Sequence, residues 1–293
     1  MKERLKVWIE KNQLKDKFSA LGSKPFAIIP FVIVAEWYGL IADKPEIKNT
    51  TLFIFMFFSA LFLLINYYKK INPFKNKKSS NYVYSLICVG YLVGDFLDYV
   101  VWQGLYALGI NDTLNQQLLD EVARNSPNEK LQIDITTSIL APIGEEVIFR
   151  GALLCLILFV GNAFRVERKK GYIVFIVASS LLFGVGHAFD SWLTTIPYIL
   201  SGVIYSIAYL YSKSIIVPIG MHVLNNGIIA ISEGKDVNVT LAMICLTIVV
   251  VGVEVMQNNT NTNKKFLERK KVVRSKIENV FFGKKKVKEG EEP

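Results

Sequence analysis

The sequence predicts an all-α, multi-span integral membrane protein of about eight transmembrane helices, and three observations carry that reading. Apolar runs recur at lengths near the roughly 20 residues a helix needs to cross a hydrocarbon core about 30 Å thick. Lys and Arg gather in alternate connections between those runs. The chain is also 52% hydrophobic, with a mean hydropathy of +0.34, although 20% of its residues are charged.

The elements follow in order. Residues 1–24 hold seven Lys/Arg, interleaved with apolar residues and without a continuous apolar stretch, so no cleaved signal peptide is expected. Eight apolar runs then cover 25–42, 50–68, 82–110, 133–161, 171–189, 192–211, 214–231 and 237–256. The first and seventh are short and the third and fourth long, which predicts tilting, breaks or partial re-entry. Helices are required, because unpaired backbone groups of an open sheet are too costly in lipid. Between the third and fourth runs, 111–132 is polar with Leu114, Leu118 and Leu119 at helical spacing. That pattern predicts a short amphipathic surface helix ending near Ser126-Pro127-Asn128. After Asn258 the Asn/Thr tract reads as a flexible linker into a basic tail. Five regions result: 1–24 basic segment, 25–132 first membrane helices and amphipathic segment, 133–232 core, 233–258 last membrane helix, and 259–293 tail.

Charge sets the expected orientation. The loop near 69–78 holds five Lys/Arg, the loop at 162–171 four, and the tail from Lys264 eleven; the alternate connections at 43–49 and 111–132 hold two each. Both termini are therefore expected in the cytoplasm of a multi-pass cell-membrane protein. The net charge of +9 is mostly this topology signal. Lys264–Lys288 mixes basic residues with Phe266, Leu267, Val272, Val273, Phe281 and Phe282; it reads equally as an amphipathic segment on anionic lipid or as a solvated tail. Without a folded reading module, nucleic acid is not an expected partner. Cys88, Cys155 and Cys245 are isolated in apolar runs, which argues against a disulfide framework or metal cluster.

Three polar clusters interrupt these runs, where each must find partners or water. Glu145-Glu146-Val-Ile-Phe-Arg150 lies in the fourth, Phe183-Gly-Val-Gly-His187 in the fifth, and His222-Val-Leu-Asn-Asn226 in the seventh. Adjacent helical residues point about 100° apart, so Glu145 and Glu146 face different directions. Glu146 and Arg150, at i and i+4, sit side by side and can neutralise each other. Glu145 is then free to act as a general base on water. His187 and His222 are the chain's two histidines. His187, after Gly184 and Gly186, can hold that water or shuttle a proton. His222 and Asn226 share a helix face and can offer two N–H donors to an oxyanion. Each cluster also has a purely structural reading: an ion pair at a helix contact, a polar residue at the membrane boundary, an interhelical hydrogen-bond pair.

Taken together, Glu145-Glu146-x-x-x-Arg150, Phe183-x-x-x-His187 and His222-x-x-x-Asn226, in this order on separate helices, resemble the CPBP family of CAAX proteases and bacteriocin-processing (Abi) enzymes. The resemblance covers about 133–232. It implies an all-helical intramembrane peptidase in which Glu145 activates water with His187, His222 and Asn226 stabilise the oxyanion, and Glu146 and Arg150 support the site. One departure stands out: some members carry Asn four residues after the second-motif histidine, where this chain has Ser191, preceded by Asp190.

Glu145, His187 and His222 could alternatively serve as the two-nitrogen, one-oxygen set of a catalytic zinc. The absence of His-Glu-x-x-His, and Asn226 beside His222, favour a metal-free site with no cofactor. Glu36, Asp95 and Asp98 are further acids in apolar runs, read as polar-cavity or partnered residues before substrate contacts. The leading expectation is an intramembrane endopeptidase acting on peptide or membrane-protein substrates, with peptide or bacteriocin maturation or self-immunity as its setting. A non-catalytic scaffold of the same fold acting on partner membrane proteins is the alternative. A proton-coupled transporter lacks supporting repeat symmetry.

Overall fold

The computed structural model describes residues 81–125, 130–187, 191–232 and 237–282, with parts of 58–80. The basic segment 1–24, the run 25–42 with Glu36, most of the run 50–68, Ser126-Pro127-Asn128, Asp190 and the tail after 282 lie outside the described residues. The described residues are helical, with no strand among them.

Helix α1, Val83–Ala107, realises the third apolar run. Its first turn is capped from another helix: the Glu254 carboxylate accepts from the Tyr84 and Ser85 N–H groups at 3.0 and 2.9 Å. Its last turn closes with Ile110 N–H to Leu105 O and Gly109 N–H to Tyr106 O, and Gly109 takes φ +78°. This is the glycine-terminated helix end expected where the chain must turn left-handed. Helix α2, Leu114–Asn125, is the predicted amphipathic segment. Thr113 is its N-cap, with Oγ1 accepting from Gln116 N–H at 3.1 Å.

The fourth run, described from 130 to 163, is a composite helix, α3. Two α-helical pieces, Lys130–Ile135 and Ala141–Glu146, each lead into a π-helical piece, Thr136–Leu140 and Val147–Ala152, before Leu153–Ala163 completes it. In the first π piece Ala141 N–H reaches back five residues to Thr136 O. The next residue is Pro142, which has no N–H to continue the pattern, so Thr137 O is left for another donor. In the second, Leu153 N–H reaches Ile148 O.

Helices α4 (Arg168–His187) and α5 (Trp192–Ser212) pack closely. A Cβ on Gly202 would lie 2.7 Å from Ser180 Cα, and one on Gly184 would clash with Ile199. Small residues let membrane helices approach in this way. Gly184 makes such a close approach, a Cβ on Gly186 would meet open space, and α4 stays helical through both to His187. Ser191 caps α5: its Oγ accepts from Leu193 N–H, and its carbonyl accepts from the Thr194 and Thr195 hydroxyls. Helix α6, Ile216–Ser232, follows.

The last helix, α7, spans Val237–Phe282. Its continuation past Asn258 corrects the flexible linker expected there. Thr260 and Thr262 return their hydroxyls to the carbonyls of Met256 and Asn258, so the polar tract satisfies itself within the helix. The Lys, Arg, Glu and Leu that follow are good helix formers. At 1.5 Å per residue, α7 is roughly 70 Å long, more than twice a hydrocarbon core.

Among the described residues, Val83–Ala107, Arg168–His187, Trp192–Ser212 and Val239–Ser275 are long and apolar enough to span a membrane, and Ile216–Ile231 is apolar but shorter. Large apolar side chains such as Phe96, Ile173 and Ile248 face outward, as lipid contact requires. Inside, Phe183, Tyr205, Val217 and Met221 form one buried cluster and Phe74, Leu154, Phe175, Tyr209 and Ile215 another. The first cluster floors the polar site.

Candidate active site

The Glu145-Glu146 pair ends an α-helical piece of α3, and Arg150 lies in the π piece that follows. Glu146 and Arg150 are both completely buried and joined at 3.0 Å. Glu146 Oε1 also receives His222 Nδ1 at 3.0 Å. Arg150 Nη2 donates to Gly202 O at 3.3 Å, and its guanidinium lies over the Phe183 and Tyr205 rings, 4.6 and 5.3 Å from their centroids. The charge is thus surrounded by an anion, a carbonyl and two π faces, the partners that make a buried guanidinium tolerable.

Glu145 turns the other way. Its Oε2 lies 3.4 Å from His187 Nε2 and 3.9 Å from His222 Nε2, without a well-formed hydrogen bond to either. The opposite nitrogen of each ring is engaged: His187 Nδ1 with Phe183 O at 2.8 Å, His222 Nδ1 with Glu146 Oε1. A carbonyl and an ionised carboxylate only accept, so both Nδ1 atoms carry the proton. In the neutral rings both Nε2 lone pairs therefore face the Glu145 carboxylate. Three acceptors pointing at one another are a site for something that brings protons or positive charge.

Asn226, one turn after His222, donates Nδ2–H to Thr137 O at 3.0 Å. This is the carbonyl that Pro142 leaves unclaimed, so the proline before the Glu-Glu pair holds an amide on a different helix. The second π piece does likewise: Phe149 O accepts the Ser179 hydroxyl of α4 at 3.0 Å.

The structure therefore brings Glu145, Glu146, Arg150, His187, His222 and Asn226 to one place where α3, α4 and α6 meet. The segment carrying them, residues 128–228, matches the type II CAAX prenyl endopeptidase Rce1-like family. Over that third of its length the chain is similar to the CAAX-protease (CPBP) family. It is also similar to the membrane-embedded CAAX protease MroQ of Staphylococcus aureus (strain USA300), at 27% identity over 216 residues, 71% of this chain and 83% of that relative. No solved structure matches.

Several residues of this site were not legible in the motifs. Tyr198 and Tyr205 of α5 stack on the two histidines, at 4.9 Å and 20° for His187 and 5.2 Å and 28° for His222. Their signal in the sequence was a Tyr-x-x-x-Gly-x-x-Tyr stripe at helical spacing. Asp95 and Asp98 both lie on α1. Ser191, the departure from the family pattern, serves as a helix cap.

Zinc is tested by the donors present. Two imidazole nitrogens and a carboxylate, with Glu146 and a backbone carbonyl behind the rings, suit it in kind. Bonds of 2.0–2.1 Å in a tetrahedron put donors roughly 3.4 Å apart. The His187–Glu145 separation meets that, but His222 Nε2 at 3.9 Å does not. No group of three donors among the described residues has metal-holding spacing. The donors fit zinc in kind and not in spacing.

Proposed function

We propose that the chain is an intramembrane endopeptidase that hydrolyses peptide bonds of membrane-associated or peptide substrates by a glutamate mechanism. The observation carrying this reading is Glu145 Oε2 facing both imidazole Nε2 atoms beside a neutralised, buried Glu146–Arg150 pair. A water between these acceptors gives one proton to Glu145 as its oxygen attacks the scissile carbonyl. The second N–H of Asn226 stabilises the resulting oxyanion, and so does His222 Nε2–H when the ring is protonated at both nitrogens opposite Glu146. The C–N bond then breaks as Glu145, through His187 Nε2, returns the proton to the leaving amine.

Substrate class is part of the proposal. The family match supports a CAAX-type substrate, and peptide or bacteriocin maturation or self-immunity is the setting proposed from the sequence. Both termini are proposed to be cytoplasmic, on the distribution of Lys and Arg in the loops.

The test uses the full chain in nanodiscs with an internally quenched farnesylated CAAX peptide and its unprenylated counterpart. Cleavage of either, insensitive to phenanthroline and without stoichiometric zinc on elemental analysis, is expected. His222→Gln should keep part of the activity, since an amide N–H can replace the imidazole donor. About one zinc per chain with metal-rescuable activity would overturn the glutamate mechanism.

A further inference from the structure

Helix α5 carries none of the motif residues, yet one stripe of it forms the wall behind both histidines. Tyr198, Gly202 and Tyr205 fall four and three residues apart, on a single helix face. Gly202 O takes the Arg150 guanidinium, and Tyr205 lies buried against His222. Tyr198 differs from Tyr205 because it is half-buried and its hydroxyl leaves the site. Its Oη shares a hydrogen bond with Thr113 Oγ1 at 3.0 Å and accepts from Asn115 Nδ2 at 3.4 Å. Thr113 is the N-cap of the amphipathic helix α2. A single side chain thus touches the His187 ring with its face and the start of α2 with its tip.

The His187 ring needs such a partner. Its one hydrogen bond within α4, Nδ1 to Phe183 O, fixes a tautomer but only one point of the ring. The Phe183 ring approaches from its own helix, at 4.4 Å and tilted by 40°. The near-parallel Tyr198 ring supplies the constraint from a second helix, and together they aim Nε2 at Glu145.

We infer that Tyr198 is a positioning residue: its ring sets the plane of the His187 imidazole, and its hydroxyl ties the amphipathic helix α2 to that same ring. The kinetic consequence rests on the hydrolytic reading above; the effect on the ring does not.

With two histidines in the chain, selective ¹⁵N-histidine labelling gives two ring systems, assigned by His187→Gln. In nanodiscs, Tyr198→Leu is expected to shift and broaden the His187 ring signals while those of His222 stay in place. With the quenched peptides, kcat should fall about ten- to hundred-fold, the cost of a misaligned group, with KM changed less than about two-fold. Tyr198→Phe keeps the ring and removes the tether. It should restore kcat and the His187 signals while raising amide hydrogen exchange at Gln116 and Gln117. Tyr198→Leu with wild-type His187 signals, or Tyr198→Phe as damaged as Tyr198→Leu, overturns the inference. Should Tyr198→Leu not fold, Tyr198→Phe decides: disturbed His187 signals would show that the stack does not hold the ring. A wild type that cleaves neither peptide while its His187 signals respond as described would refute the hydrolytic reading and leave the positioning role standing.

Discussion

Glu145 and Glu146 are neighbours in the chain, yet they occupy two different regions of the site. The Glu146 corner has no exposure, and its carboxylate is held by Arg150 and His222, each at 3.0 Å. The Glu145 corner keeps a side chain 27% exposed, and its closest cationic or imidazole partner lies at 3.4 Å. A helix turns about 100° per residue, so one motif can feed a fully buried corner, where Glu146 Oε1 is paired twice, and a partly exposed one, where Glu145 Oε2 has no hydrogen bond. Tightly paired charges hold structure together; a carboxylate with only loose contacts is the one able to take up and release a proton.

The comparison is tested most sharply by removing one member of each corner. Glu145→Ala and His187→Ala are expected to lower kcat by about 10²–10⁴-fold while leaving membrane abundance unchanged. Peptide turnover per milligram of purified variant checks this, and near-normal turnover would return Glu145 to a structural role.

Arg150→Ala acts in the other corner. It strands Glu146 without its cation at a fully buried position, and breaking such a pair typically costs about 3–5 kcal/mol. It also removes the cation over Phe183 and Tyr205 and the donor to Gly202 O. Stability of the detergent-solubilised protein should fall together with activity. A thermal unfolding midpoint equal to wild type would mean that water, and not Arg150, satisfies Glu146.

How much of this was legible depended on whether the interaction was local. The Glu146–Arg150 pair could be read from the sequence because both partners share one helix at a fixed offset. The helices at 83–107, 168–187 and 192–212 could be read because lipid demands continuous apolar length. The tyrosines of α5 could not, since stacking on His187 and His222 depends on how three helices meet. The helical course of α7 beyond Asn258 was hidden because Asn and Thr are poor helix formers on average, and the hydroxyl-to-carbonyl bonds of Thr260 and Thr262 form only once the helix exists.

Glu254 was hidden for the same reason, as a lone acid in an apolar run whose acceptor role appears only where α7 meets α1. Its carboxylate receives two N–H groups of the first turn of α1, which that turn cannot satisfy internally. Glu254→Ala is expected to cost about 1–2 kcal/mol, the upper range of a helix cap. Thermal unfolding should register the loss while kcat of the folded fraction stays at the wild-type value. A fall in kcat at unchanged stability would tie α7 to the chemistry instead.

The smallest effect expected lies at Pro142, and it separates support of the site from support of the fold. Asn226 donates to Thr137 O, a carbonyl free because Pro142, five residues on, has no N–H to offer. Pro142→Ala supplies that N–H. The new donor competes for Thr137 O, so the Asn226 amide loses its fixed orientation while α3 gains a backbone hydrogen bond. Removing an oxyanion donor outright costs about 10²–10³-fold in kcat. Loosening one should cost less, about three- to ten-fold. Thermal stability should hold or rise, because alanine is the better residue inside a helix. Kinetics and thermal unfolding on the same preparation read the two together. Activity falling in proportion to stability would make Pro142 a packing residue of α3 and detach it from the chemistry of Asn226.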